Sequence, residues 1–147
     1  AHPVLGNNAQ LAQKLGFVVE GGFGEQDIAS YGALAAALPL CELGERVTRA
    51  LGRTPLIIGD GDKPIRRIAW CSGAAQGYFE EAIRLGVDAF LTGEISEQCV
   101  HLARETGVAF IAAGHHATER YGVQALGAHL AQELGVSHQF IDIDNPV

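Results

Sequence analysis

The second half of the chain alternates apolar, strand-like runs with amphipathic helices, and this alternation restricts the folds open to it. A Gly, Ser or Thr marks each junction. The predicted strands are 65–71, 88–91, 108–112 and 138–143. Strands joined through helices pair in parallel through right-handed crossovers. The pattern therefore predicts the α/β class, with a mainly parallel sheet and helices on both faces.

The first half is less regular but is compatible with the same class. We predict a short helix that ends at Gly16, a strand over 17–20, and a helix over 41–51 in which apolar residues recur every four positions. Residues 28–38 fit a strand or a helix, and we favour a strand. We interpret the polar stretch 59–64 as a hairpin-type connection between two strands rather than a domain boundary. Residues 1–147 are thus expected to form a single α/β unit.

Composition excludes several classes of protein. Among the 147 residues no apolar run approaches the ~18 residues of a membrane-spanning helix. The formal net charge is −7 without a basic cluster, which disfavours direct binding to nucleic acid or to an anionic membrane. The three cysteines show no metal-binding spacing, and we expect them to be reduced, as in the cytoplasm.

Three of the turns that follow predicted strands carry polar residues. They are 72–77, 92–94 and 114–120. Because the carboxyl ends of parallel strands meet at one edge of a sheet, we expect the three turns to converge and to form a pocket.

The third turn has the spacing of a metal-binding pair. His115 and Glu119 are four residues apart at the start of a helix, so that an imidazole nitrogen and a carboxylate oxygen could reach one divalent ion. Two ligands do not complete a site, since zinc takes three or four. The spacing fits equally a capped helix with an exposed His–Glu pair. We expect His116 to point elsewhere, supporting the ligands or facing solvent.

The other two turns offer weaker signals. Glu94, after Thr92 and Gly93, could support a ligand, act as a general base, or complement the charge of the next helix. The turn that starts with Ser72 and Gly73 could present free backbone N–H groups to a phosphate. It has neither the G-x-G-x-x-G pattern nor the lysine of a P-loop. A phosphate-binding module without metal is therefore kept as an alternative.

Three phrases of the sequence resemble a known family. They are Cys71-Ser72-Gly73-Ala74-Ala75-Gln76, Leu91-Thr92-Gly93-Glu94-Ile95-Ser96 and Gly114-His115-His116-Ala117-Thr118-Glu119-Arg120. In this order they resemble the carboxyl-terminal portion of the GTP cyclohydrolase type 2-like dinuclear-metal family, also called Ngg-one-interacting-factor-three or Nif-three-like. The opening residues, from Ala1 to Asn8, resemble that family's central segment.

The resemblance implies a two-lobed α/β/α protein, of which this chain is one half, with two divalent metal ions in a cleft and a ring-like homo-hexamer. It implies that His115 and Glu119 are metal ligands, and that Thr92, Ser72, Gly73, His116 and Arg120 support them or contact substrate. Zinc, manganese or iron could serve. The family's other ligands are a pair of histidines and an aspartate just before the Ala-His-Pro phrase, so we expect them to precede this chain.

Two functions follow from the resemblance. The first is a cytoplasmic, metal-dependent hydrolase of the GTP cyclohydrolase type, acting on a nucleotide-like substrate, with Glu94 as a candidate catalytic residue. The second is a non-catalytic metal-binding or assembly protein that acts through ring-like oligomers and protein partners. Release of formate from GTP distinguishes them.

Overall fold

A computed structural model describes residues 2–147 and shows helices packed on a six-stranded sheet. Two 3-10 turns, Glu25–Asp27 and Gln76–Tyr78, supplement the regular elements. The strands are β1 (Phe17–Phe23), β2 (Ala29–Pro39), β3 (Leu56–Ile58), β4 (Pro64–Trp70), β5 (Ala89–Thr92) and β6 (Ala109–Ala112). The helices are α1 (Asn7–Leu15), α2 (Leu40–Leu51), α3 (Phe79–Arg84), α4 (Glu97–Thr106), α5 (His115–Glu119) and α6 (Tyr121–Leu134). The α/β class is confirmed.

The sheet is mixed, which corrects the expectation of a mainly parallel one. Its strand order is β1-β2-β4-β5-β6-β3, and only the β4–β5 and β5–β6 pairs are parallel. β1 and β2 pair antiparallel because a connection of a few residues can only reverse the chain. β2 also runs antiparallel to β4, and β3 to β6. The parallel part is the region where strands alternate with helices.

The predicted connection 59–64 is wrong in detail. Residues 59–64 do join two strands, but β3 and β4 lie in different parts of the sheet and form no hairpin. The loop instead receives the first N–H groups of α2, which Leu40 and Cys41 donate to the carbonyls of Lys63 and Gly61. β3, only three residues long, is the strand that this connection implied before residue 59, and its bounds were not predicted.

The chain after α6 forms no strand, contrary to the prediction for 138–143. β3 already occupies the edge of the sheet beside β6. The segment 136–147 instead runs back along α6, where the His138 ring packs on Gly127 in a space that a Cβ would fill. The helix expected to start near His115 is divided into α5 and α6 at Arg120.

Helices cover both faces of the sheet, as predicted, and each face has its own apolar cluster. Residues of α1, α2 and the start of α6 surround the buried Trp70 on one face. On the other, the rings of Phe79, Phe90 and Phe110 pack together, with Phe79 and Phe110 centred 4.9 Å apart. Cys71 and Cys99 are buried here, as expected of small apolar side chains. None of the helices within residues 2–147 is long and apolar enough to cross a membrane.

Candidate functional site

The three polar turns meet at the carboxyl edge of the parallel strands, as predicted. Gly93 N–H donates to the Gly73 carbonyl at 2.9 Å, and Gly114 N–H donates to the Gly93 carbonyl at 2.9 Å. The spacing of neighbouring strands thus continues into the turns. Residues about twenty positions apart in the sequence are brought into direct contact.

Two fully buried threonines fix the relative positions of these turns. Thr92 Oγ1 donates to the Gly73 carbonyl at 3.0 Å and accepts from Ala75 N–H at 3.2 Å. Thr118 Oγ1 accepts from Gly73 N–H at 3.0 Å and lies 2.9 Å from the Gly114 carbonyl of its own helix. Each hydroxyl joins residues from two strand ends, so the turn at Gly73 is held from both sides.

His115 lies between two carboxylates. Its Nδ1 is 2.6 Å from Glu94 Oε1, and its Nε2 is 2.9 Å from Glu119 Oε2. The pKa of His115 is raised, first by the hydrogen bond with Glu94, against some desolvation, and further by the charge of Glu119. The helical spacing predicted the contact with Glu119. The contact with Glu94 depends on the pairing of β5 with β6.

Gly73 makes room for this pair of side chains. Its φ is +70°, and a Cβ built there would lie 2.8 Å from Glu119 Cδ and 3.3 Å from His115 Nε2. A glycine is needed both for the backbone conformation and for the close approach. The turn at Gly73 therefore packs directly against the imidazole of His115 and the carboxylate of Glu119.

The donor set fits a divalent cation. Nitrogen and carboxylate oxygen are zinc, manganese and iron ligands, and metal-bound histidines usually donate their second N–H to a carboxylate, as Nδ1 can to Glu94 here. Glu94 thus binds the nitrogen that faces away from Glu119. Within residues 2–147 no group of three or more His, Cys, Asp or Glu side chains is arranged to hold a metal. The fit is that of a two-ligand pair.

Three of the N–H groups in the turn 72–77 are already bonded within the chain, which weakens the case for a phosphate site there. Ser72 N–H donates to the side chain of Asn8 at 2.8 Å, and the Gly73 and Ala75 N–H groups are taken by Thr118 and Thr92. These three donors are not free, contrary to the expectation for this turn. The turn instead supports the His115–Glu119 pair.

His116 and Arg120 turn away from that pair and bind a single carboxylate. His116 Nε2 lies 2.8 Å from Asp142 Oδ1, and Arg120 Nη1 donates to Asp142 Oδ2 at 2.6 Å. These contacts attach the segment 136–147 to α5. Sequence reasoning gave both residues a supporting or substrate-binding role, and no hydrogen bond links either side chain to His115 or Glu119 within residues 2–147.

Sequence reasoning missed three residues that shape the site. Asn8 binds the turn at Ser72, Thr118 binds Gly73, and Asp142 binds His116 and Arg120. Thr118 lies within the segment 114–120, which carries the family resemblance, so that resemblance could have identified Thr118 as a residue of the site. Asn8 and Asp142 act across 64 and 26 residues of sequence, and no spacing rule connects them to their partners.

Comparison with known proteins gives consistent matches. The Duf34/NIF3 (NGG1p interacting factor 3) family matches residues 1–146. A Pseudomonas aeruginosa protein named GTP cyclohydrolase 1 type 2 homolog is 56% identical over 148 residues, which cover 99% of this chain and 58% of that protein. Its namesake in Neisseria meningitidis serogroup B is 55% identical and matches over 99% of this chain and 59% of its own length. The chain thus spans about three-fifths of these relatives.

Solved structures also resemble this chain. The protein ybgI, described as of unknown function, superposes with a TM-score of 0.93 at 47% identity, over 100% of this chain and 59% of its own. TTHA1606 from Thermus thermophilus superposes with a TM-score of 0.81 at 29% identity, over 100% of this chain and 58% of its own. The fold described above is therefore found in proteins that are longer than this chain.

Proposed function

This chain belongs to the Duf34/NIF3 family, and from that premise we propose that it contributes His115 and Glu119 to the metal centre of a hydrolase resembling GTP cyclohydrolase type 2. One observation carries the proposal. The imidazole of His115 is held by Glu94 at Nδ1, while its Nε2 faces the carboxylate of Glu119 across 2.9 Å.

Two groups that carry lone pairs repel each other at that separation unless a proton or a cation lies between them. With Nδ1–H donated to Glu94, Nε2 is left as the basic nitrogen that a metal requires. Gly73 and the two buried threonines keep the space around Nε2 and Glu119 constant. The chain's own residues thus supply a prearranged half of a metal site.

A bound divalent ion would lower the pKa of a coordinated water and polarise a substrate atom. Glu94 fixes the imidazole ring, and Glu119 supplies negative charge to the same point. The remaining ligands and a second ion belong, in this proposal, to residues outside these 147. The ions would be zinc, manganese or iron, the substrate a nucleotide, and the compartment the cytoplasm.

The metal pair can be tested against an internal control. His101 and Glu105 have the same four-residue spacing on α4, but both are exposed and neither side chain hydrogen bonds within residues 2–147. Calorimetric titration of the chain with zinc and with manganese should show weak binding, since water must fill most coordination positions. H115A and E119Q should each weaken binding at least ~10-fold, because even indirect support of a ligand is worth that much.

The control variants H101A and E105Q should bind metal as the unchanged chain does. If all four variants have the same affinity, His115 and Glu119 are only a hydrogen-bonded surface pair and the proposal is wrong. Metal-dependent release of formate from GTP by a longer protein that contains this sequence would test the hydrolase itself.

An assembly protein is the second candidate, and a specific observation favours it. The apolar stripe of α6, formed by Val123, Leu126, Leu130 and Leu134, is exposed. Soluble monomers rarely leave such a surface uncovered. In this candidate the metal pair stabilises a homo-oligomer, for which the family resemblance implies a hexamer, and no formate is released.

A further inference from the structure

The segment 136–147 contains no helix or strand and is held mainly by polar contacts to other parts of the chain. Val147 accepts a hydrogen bond from His116 N–H at 3.0 Å, and the Pro146 carbonyl accepts one from Arg53. The strongest contact is that of Asp142, whose two carboxylate oxygens are bound separately by His116 and Arg120 at 2.8 and 2.6 Å. The segment therefore places a carboxylate between two nitrogen donors.

We propose that His116 and Arg120 form an oxyanion-binding subsite beside His115 and Glu119, and that the chain's own Asp142 fills this subsite in the structure. The ligand would be a small molecule that carries a carboxylate or a phosphate. Both groups match the geometry that Asp142 displays, with a different oxygen facing each donor.

Arg120 is positioned without help from Asp142, whereas for His116 only the helix that carries it is fixed. Arg120 Nη2 donates to the Leu51 carbonyl at 2.9 Å, and its guanidinium carbon lies 5.6 Å from the centre of the Tyr121 ring. His116 belongs to α5, whose position is fixed by the buried Thr118. Removing the carboxylate would thus leave the Arg120 guanidinium in place and the backbone of His116 fixed, which lowers the cost of binding another anion.

The subsite and the metal pair are neighbours along the chain, with Arg120 directly after the last residue of α5. His116 and Arg120 repeat the four-residue spacing of His115 and Glu119, displaced by one residue, or about 100° around the helix axis. All four side chains line one cavity of about 540 Å³, whose other walls include Val123 and Phe140. That volume is typical of small-molecule sites. Asp142 itself lines an adjoining cavity of about 270 Å³, which is also lined by His116 and Arg120 but not by His115 or Glu119. An anionic group in the place of Asp142 would therefore lie beside the metal pair, where the two cavities meet.

Asp142 then acts as an intramolecular competitor. A group tethered to its own site has an effective concentration in the millimolar range. A free anion binds well only when it displaces the Asp142 carboxylate from His116 and Arg120. The unaltered chain should consequently bind simple anions weakly, although its donors are correctly placed.

The test uses the full chain after metal has been removed on a chelating resin, so that a negative result leaves the metal proposal untouched and no chelator competes for the subsite. Sodium phosphate and, separately, sodium acetate are titrated at constant ionic strength, and the backbone amide signals of His116 and Arg120 are followed by NMR. The variant D142A should bind phosphate at least about tenfold more tightly than the unaltered chain, since a competing charge-assisted contact is lost. The anion that binds more tightly identifies the ligand class.

Two further variants make the result specific. Asp62 is exposed on the loop 59–64, and its side chain forms no hydrogen bond or ion pair among the described residues, so D62A should bind phosphate as the unaltered chain does. The double variant D142A/R120Q should lose the increase in phosphate affinity that D142A produces. D142N removes the charge with little change of shape and gives the same comparison if D142A does not fold. The proposal would be overturned if D142N and the unaltered chain bound phosphate with equal affinity. It would also be overturned if D142A/R120Q bound phosphate as tightly as D142A.

Discussion

Thr118 has more influence on the site than its uncharged side chain suggests. Its hydroxyl oxygen accepts from Gly73 N–H, and the proton satisfies a carbonyl of its own helix. Both groups are buried, so neither can turn to water if the hydroxyl is removed. Gly73 packs against His115 and Glu119. The Thr118 hydroxyl, which holds Gly73, therefore affects both the stability of the chain and the geometry of the metal pair.

Replacing Thr118 with valine should destabilise the chain by about 1–3 kcal/mol, the cost of a buried donor left without a partner. Thr118→Ser keeps the hydroxyl and should cost less. The free energy of unfolding in urea measures both.

Thr48→Val is the matched control for Thr118. Thr48 Oγ1 bonds only to the Gly44 carbonyl of its own helix, so no backbone N–H loses a partner. Its change should stay within about 0.5 kcal/mol. If Thr118→Val is equally mild, the hydroxyl does not hold Gly73 in solution.

Among the structural elements, the ends of the strands were predictable and the last segment was not. Apolar runs and glycines located β4, β5, β6 and the helices between them, because each signal is local. The three turns could be brought together because parallel strands share an edge. Residues 138–143 have strand-like composition, but β3 already pairs with β6 at that edge of the sheet. Which of two distant segments takes an edge position cannot be inferred from the local sequence of either one.

The position of the segment 136–147 should depend on pH through Asp142. Its pKa is lowered from 3.8, first by the hydrogen bond from His116 and then by the charges of Arg120 and His116. A carboxyl group whose pKa is lower when the segment is attached stabilises the attached form. This contribution is complete when the pH is above the ordinary pKa of the group, and it is lost as the pH falls through the lower pKa of the attached form. The contribution of Asp142 to holding the segment should therefore be intact at pH 5 and lost only below pH 3.8.

A ¹³C NMR titration of the Asp142 carboxyl group measures this directly. The midpoint should lie below 3.8 in the unaltered chain and move upward towards it in His116→Ala. His129→Ala, which removes an exposed histidine of α6, should leave the midpoint in place. A midpoint that does not respond to His116→Ala would show that the imidazole does not hold Asp142 in solution.

For the molecule as a whole, the unusual feature is where apolar surface is left exposed. The spacing of Val123, Leu126, Leu130 and Leu134 is that of a helix face, and such a face normally packs inward. Here only Tyr121 of α6 is buried, and Leu126 and Leu134 are 46% and 67% exposed. The sheet is already covered on that side by α1 and α2, so the remaining stripe has no partner within residues 2–147.

We therefore expect the 147-residue chain to self-associate at micromolar concentration through the α6 stripe. A second copy offers an equally apolar face, and burying it recovers roughly 25 cal/mol per Å² of apolar surface. The double variant Leu126→Glu, Leu130→Glu should be monomeric by sedimentation velocity, with an unchanged circular dichroism spectrum, because both side chains lie outside the core. The control is Val18→Glu, which introduces one charge at an exposed position of the edge strand β1 and should leave the oligomer intact. A monomeric unaltered chain would contradict the prediction, and dissociation by Val18→Glu alone would instead assign the contact to the sheet edge, where unpaired backbone groups can join two copies.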